Sequence, residues 1–196
     1  MKGLNTYKII LASGSPRRQQ FLKDLDIPFE VKLKSIDESF PKHLTKSEIP
    51  EYLAQLKAKA YEDLKPNEIV ITGDTIVWHN QKALNKPENR EEAFKMISSL
   101  RNSWHEVISA FCIKTNGLLI VKSDTTKVYF DNVSDDDINY YIENYKPFDK
   151  AGAYGIQEWI GQIGISKIEG SYFNVMGFPT HLFYKTLKKL IKNEND

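Results

Sequence analysis

Residues 7–22 read YKIILASGSPRRQQFL, and the fold class turns on how this stretch is read. Tyr7–Ala12 is a short apolar run, the pattern of a buried strand. Ser15-Pro16 is a helix start, with Ser15 at the N-cap and Pro16 at the first helical position. The chain therefore opens as strand, tight small-residue turn and helix. Arg17 and Arg18 then fall in the first helical turn. The positive end of the macrodipole lies there, and a cation costs about 0.3–1 kcal/mol. Free backbone N–H groups at such a turn meet anions, and arginine forks suit phosphate oxygens. A bound polyphosphate would offset both the dipole and the guanidiniums. The plain alternative is a capped helix with two solvated arginines, and spacing alone does not separate the two. The stretch is neither a P-loop nor a G-x-G-x-x-G dinucleotide fingerprint.

Outward from this opening, strands and helices alternate. The pattern predicts strand 29–35, helix 48–64, strand 69–78 and helix 90–101. Strands 105–115 and 118–130 follow, joined by Asn116-Gly117, a two-residue hairpin signal. Helix 135–145 opens at Ser134 with Asp137 three residues on, a start like a capping box. A glycine-rich loop at 146–161 leads to strand 162–169, a loop at 170–178 and a final helix 179–192. Alternation plus a hairpin predicts an α/β fold with a mixed sheet.

Composition narrows the function classes. The chain has 196 residues, 41% hydrophobic and 27% charged, which suits one globular domain or two small lobes. A net charge of +1 gives no global footprint for duplex nucleic acid, and it also weighs against single-strand binding through the aromatics. Cys112 is the only cysteine, so an internal disulfide and a cysteine zinc motif are excluded, as suits a reducing compartment. His43, His79, His105 and His181 lie apart, without metal-ligand spacing. No secretory leader or membrane span is recognisable, and a soluble cytoplasmic protein is expected.

Four further segments bear on chemistry. Along 48–64, Ile49, Leu53, Leu56, Ala60 and Leu64 form an apolar stripe, and Lys57 falls inside its margin. A lysine there either snorkels, the commoner outcome, or projects into a cleft. In Ile69–Val77, Asp74 interrupts a buried strand next to Gly73. Such a carboxylate needs a partner, a metal or an opening to a cleft, and the glycine signals a bulge or a close backbone approach. Lys86, in Leu84-Asn85-Lys86-Pro87, ends a hairpin arm and reads alone as an exposed loop lysine. The loop DKAGAYGIQ (149–157) is long enough to be functional, and the amide of Gln157 could read a base edge. Read plainly, it is a surface loop with turn glycines. Tyr140, Tyr141 and Tyr145 have helical spacing and read as packing.

Taken in order, LASGSPRRQQFL, LKAKA, GDTIV, LNKP, DKAGAYGIQ and IEGSYFNVMGFP resemble the Maf family of septum-formation-inhibitor-like nucleotide pyrophosphatases, from Leu11 to Pro179. S-P-R-R and Y-G-I-Q resemble the branch acting on dTTP and UTP. The resemblance implies a single Maf-like domain over 1–196: a mixed, twisted sheet with flanking helices in two lobes around a cleft, similar to inosine triphosphatases. It also implies a homodimer and metal-dependent hydrolysis, by Mg2+ or Mn2+, of a nucleoside triphosphate to monophosphate and pyrophosphate. By this likeness Asp74 is the catalytic carboxylate, as base, metal ligand or both. Arg17, Thr75 and Gln157 are specificity residues, and Ser13, Arg18, Lys57 and Lys86 bind substrate. A second acidic metal ligand falls on Asp37 or Glu38, with Asp37 preferred by spacing. Thr72-Gly73-Asp74-Thr75 where G-A-D-T is usual, Leu84-Asn85-Lys86-Pro87 where L-G-K-P is usual, and Glu158 after Y-G-I-Q, where glycine is common, depart from the family pattern. So does Leu100-Arg101-Asn102-Ser103, before Trp104-His105, where L-S-G-R before a histidine is common. A carboxylate at Glu158 is unfavourable near polyphosphate unless it points away or holds metal. The alternative is a nucleotide-binding regulator of septum formation with little hydrolysis.

Overall fold

In the computed structural model, which describes residues 3–193, the opening stretch folds as its sequence dictates. Strand β1 (Lys8–Leu11) leads into helix α1 (Pro16–Asp24), whose N-cap Ser15 accepts the Arg18 backbone N–H. Then come β2 (Glu30–Val31), α2 (Glu48–Lys59), β3 (Glu68–His79), β4 (Lys82–Leu84) and α3 (Arg90–Leu100). They are followed by β5 (Ser103–Lys114), β6 (Leu119–Phe130), α4 (Asp135–Tyr145), α5 (Trp159–Gly164), β7 (Ile165–Glu169), α6 (Tyr172–Val175) and α7 (Thr180–Asn193).

One mixed sheet of seven strands runs β2-β1-β3-β5-β6-β7, with β4 paired to β3. β1 is parallel to both β2 and β3, while β4 on β3 and β7 on β6 are antiparallel. The expected α/β class with a mixed sheet is thus the observed one. The chain forms two compact units. The first takes the chain up to Asp74, Ser109–Asp124 and the chain from Gly177 on; the second takes Thr75–Ile108 and Thr125–Met176. The first has a core of stacked and tilted rings, Phe21, Phe111, Phe178 and Phe183, with Phe178 and Phe183 centred 5.0 Å apart. The second packs Val77, Ile97, Val128, Phe130, Tyr141 and Ile160. Among the described residues no helix is long and apolar enough to cross a membrane.

Three expected boundaries shift, each for a tertiary reason. α2 stops at Lys59 rather than 64, because lysines from distant segments take carbonyls at its end. Lys34 donates to Ala60 O and Lys114 to Tyr61 O, each at 2.6 Å. Strand 162–169 begins at Ile165, because 159–164 coils into α5 with Gly161 and Gly164 buried. The short strand β2 replaces the longer 29–35 run, whose Val31 and Leu33 are exposed. Two hairpins close as two-residue turns. At Asn116-Gly117 the flanking Thr115 N–H donates to Leu118 O at 2.8 Å. At Asn80-Gln81 both residues have positive φ, 47° and 60°, as in a type I′ turn.

Candidate functional site

In the first unit, the turn between β1 and α1 is held by its own side chains. The Ser13 hydroxyl accepts the Ser15 N–H and the Arg18 guanidinium, both at 3.3 Å. Arg18 Nε donates to Gly177 O at 3.2 Å, tying the turn to the chain entering α7. Arg18 is therefore not a solvated arginine. Burial lowers its pKa from the usual value, Asp74 acts against that as the largest favourable charge, Arg17 adds repulsion and Glu38 attraction. Two carboxylates offset the cost of guanidiniums at a helix N-terminus. Gly73 keeps this arrangement possible: a Cβ there would lie 2.9 Å from Ala110 O and 3.4 Å from Arg18 Nε. The sequence left a bulge or a close approach open for this glycine, and the close approach is what the geometry shows.

Lys57 does not snorkel. Its ammonium lies 2.8 Å from Asp74 Oδ1 and 2.9 Å from Glu38 Oε2. The Lys57 and Asp74 side chains are only 15% and 13% exposed, and burial of either charge requires such a partner. Of the two candidate acids, Asp37, preferred by spacing, and Glu38, it is Glu38 that lies beside Lys57. Asp37 folds back on its own loop, accepting the Ser39 N–H at 2.9 Å and its hydroxyl at 3.0 Å, and Glu38 is the acid joined to Lys57. A backbone-satisfying Asx turn is a natural use of aspartate at a loop position, and spacing could not separate adjacent acids.

The donor set fits a hard divalent ion. Asp74 and Glu38 are oxygen donors that already share one positive charge, that of Lys57. Among the described residues no three His, Cys, Asp or Glu side chains gather to hold a metal alone. Magnesium is commonly held by one or two carboxylates plus substrate phosphate, which this pair could provide.

Thr75, Lys86 and Gln157 belong to the second unit. Lys86 is exposed; the carbonyl of its neighbour Asn85 accepts the Gly152 N–H at 3.1 Å, so its arm is docked on the glycine-rich loop. That loop is not a surface loop. Gly152 through Ile156 are buried, and Gly152, at φ 70°, lies so close to Val77 that a Cβ would approach its Cγ2 to 2.8 Å. Gln157 and Thr75 are half-buried. Glu158 points into the unit: Oε1 pairs with Lys150 at 3.1 Å and Oε2 accepts the Tyr141 hydroxyl. The objection to a carboxylate beside Gln157 is thereby met. Sequence reading missed Lys150 and Tyr141 as supports of this loop; the signal was a lysine within a run of small apolar residues, which needs a buried counter-ion.

The family model described as Maf-like protein matches residues 8–190. A protein of Flavobacterium johnsoniae named dTTP/UTP pyrophosphatase is 59% identical over 96% of this chain and 97% of its own. Proteins of the same name from Christiangramia forsetii and Parabacteroides distasonis are 53% and 48% identical, covering 97% and 96% of this chain and 97% and 98% of theirs.

Proposed function

This chain belongs to the Maf family, and from that premise we propose that it hydrolyses (deoxy)nucleoside triphosphates, dTTP and UTP foremost, to the monophosphate and pyrophosphate. The observation that carries the reading is the Lys57 ammonium shared by Asp74 and Glu38, in electrostatic reach of an arginine anchored at a helix N-terminus. A carboxylate that deep in a strand, matched by several cations, suits a reaction whose substrate brings its own negative charge.

In this reading Asp74 orients a water and accepts its proton as the water attacks the α-phosphorus. Arg17, Arg18 and Lys57, with the N–H groups of the α1 turn, meet the charge of the phosphates and of departing pyrophosphate. Ser13 acts through Arg18, whose fork it holds. Lys86 adds a further cation, and Thr75 and Gln157 discriminate the base together with Arg17, roles that rest on the family likeness. A Mg2+ or Mn2+ ion held by Asp74 and Glu38 supplies charge neutralisation when bound. The reading also takes 1–196 as one functional domain that works in the cytoplasm as a homodimer.

Pyrophosphate release from a nucleotide panel, with Mg2+ and with chelator, tests this. dTTP and UTP should turn over fastest, and chelator should stop the reaction. Asp74→Asn should lower turnover by about 10²–10⁴ while nucleotide binding persists. A protein that binds nucleotide yet releases no pyrophosphate from any of the panel is a regulator, not a hydrolase.

A further inference from the structure

Lys150 is only 7% exposed, although it lies in a stretch of small residues. A lysine so placed requires carboxylate partners, and it has two: Asp149 Oδ1 at 2.7 Å and Glu158 Oε1 at 3.1 Å. The other oxygen of Glu158 accepts the hydroxyl of Tyr141, on α4. The same phenolic oxygen accepts the Gly155 N–H at 3.0 Å. Burial first, and the Glu158 hydrogen bond and charge next, raise the Tyr141 pKa, so the phenol stays protonated and donates. Three points of the loop, 150, 155 and 158, thus converge on one phenol and one ion pair. Gly155 lies flat against them: a Cβ would approach Glu158 Cδ to 2.9 Å and Lys150 Cε to 3.2 Å. Glu158 is also the N-cap of α5, yet its side chain makes no capping hydrogen bond. Its carboxylate serves the loop instead of the helix.

We propose that Lys150, Glu158 and Tyr141 form a latch that closes the 150–158 loop on itself and fixes Gln157, making Glu158 a positioning residue for base discrimination. The inference rests on the base-reading role given to Gln157 above. Gln157 sits between buried Ile156 and latched Glu158, so the backbone that carries its amide is held on both sides. Aiming matters because an amide discriminates bases only when donor and acceptor are held in register.

The test uses the full chain and compares Glu158→Gln, Tyr141→Phe and Gln157→Ala with the parent. One readout is amide hydrogen exchange across 150–158; the other is the ratio of kcat/KM for UTP over CTP. Glu158→Gln keeps the shape and removes the charge. It should speed exchange in the loop about tenfold and lower the UTP:CTP ratio about fivefold or more, with kcat for UTP nearly unchanged. Tyr141→Phe should do the same and serves if Glu158→Gln fails to fold. Unchanged loop exchange in the folded variant overturns the latch, whatever the kinetics. Faster exchange with an unchanged ratio, while Gln157→Ala does shift the ratio, overturns the positioning role alone. If Gln157→Ala also leaves the ratio unchanged, base reading by Gln157 is wrong and the positioning role falls with it.

Discussion

Arg18 lies at the positive end of α1, where a guanidinium alone would be unfavourable, and its fork is engaged by Ser13 and by Gly177 O. Lysine cannot reproduce two directed donors from one plane. Arg18→Lys should lower the melting temperature by about 3–8 °C, given roughly 1–2 kcal/mol for the lost bonds, and cut turnover at least about tenfold; calorimetry and a pyrophosphate assay check both. An unchanged melting temperature would show that the fork holds nothing. His105 offers a second test in the other unit. It is 2% exposed, its Nε2 lies 2.6 Å from the Tyr154 hydroxyl, and burial pushes its pKa down to about 3. The folded state therefore favours the neutral ring. Between about pH 6.5 and 3 the unfolded chain binds the extra proton, so the stability from this group is complete above 6.5 and is lost as pH falls. His105→Gln should flatten the acid side of the stability curve by up to about 1.4 kcal/mol per pH unit, read from urea melts. Identical slopes for variant and parent would contradict this.

Strand β3 carries both a packing demand and the chemistry. Gly73 lies against the backbone of Ala110 and the head of Arg18, one residue before Asp74. Gly73→Ala must move strand backbone, not merely a flexible side chain. It should cost about 1–3 kcal/mol by denaturant melts and impair turnover more than its loss of stability explains; a variant as stable and active as the parent would show that the approach is not tight. At this scale much was legible. The Ser15-Pro16 start, the Ser134 capping box and the Asn116-Gly117 hairpin are local chemistry, and each stands where the residues put it. The end of α2 was not legible, because the lysines that take its carbonyls, Lys34 and Lys114, are remote in sequence. The burial of 152–156 was hidden for a related reason: glycine and alanine read as a turn on the surface and as a close approach in the interior. Lys150, paired with its neighbour Asp149 and with a glutamate eight residues on, distinguishes the two.

For the molecule as a whole, the α/β class followed from the alternation of apolar runs, and the Maf resemblance drawn from collinear short stretches is borne out by the family model over residues 8–190. The site was legible as residue types and only partly as contacts. Asp74 stood out because a buried strand rejects a lone carboxylate, whereas only the fold shows that Glu38 pairs with Lys57 while Asp37 turns back on its own loop. The central claim is that water, guided by Asp74, attacks the α-phosphorus. Turnover of dTTP in oxygen-18 water with Mg2+, read by mass spectrometry of both products, tests it most directly. The label is predicted in the nucleoside monophosphate, with unlabelled pyrophosphate released in equal amount. Label in the pyrophosphate, or release of diphosphate and orthophosphate instead, would contradict it.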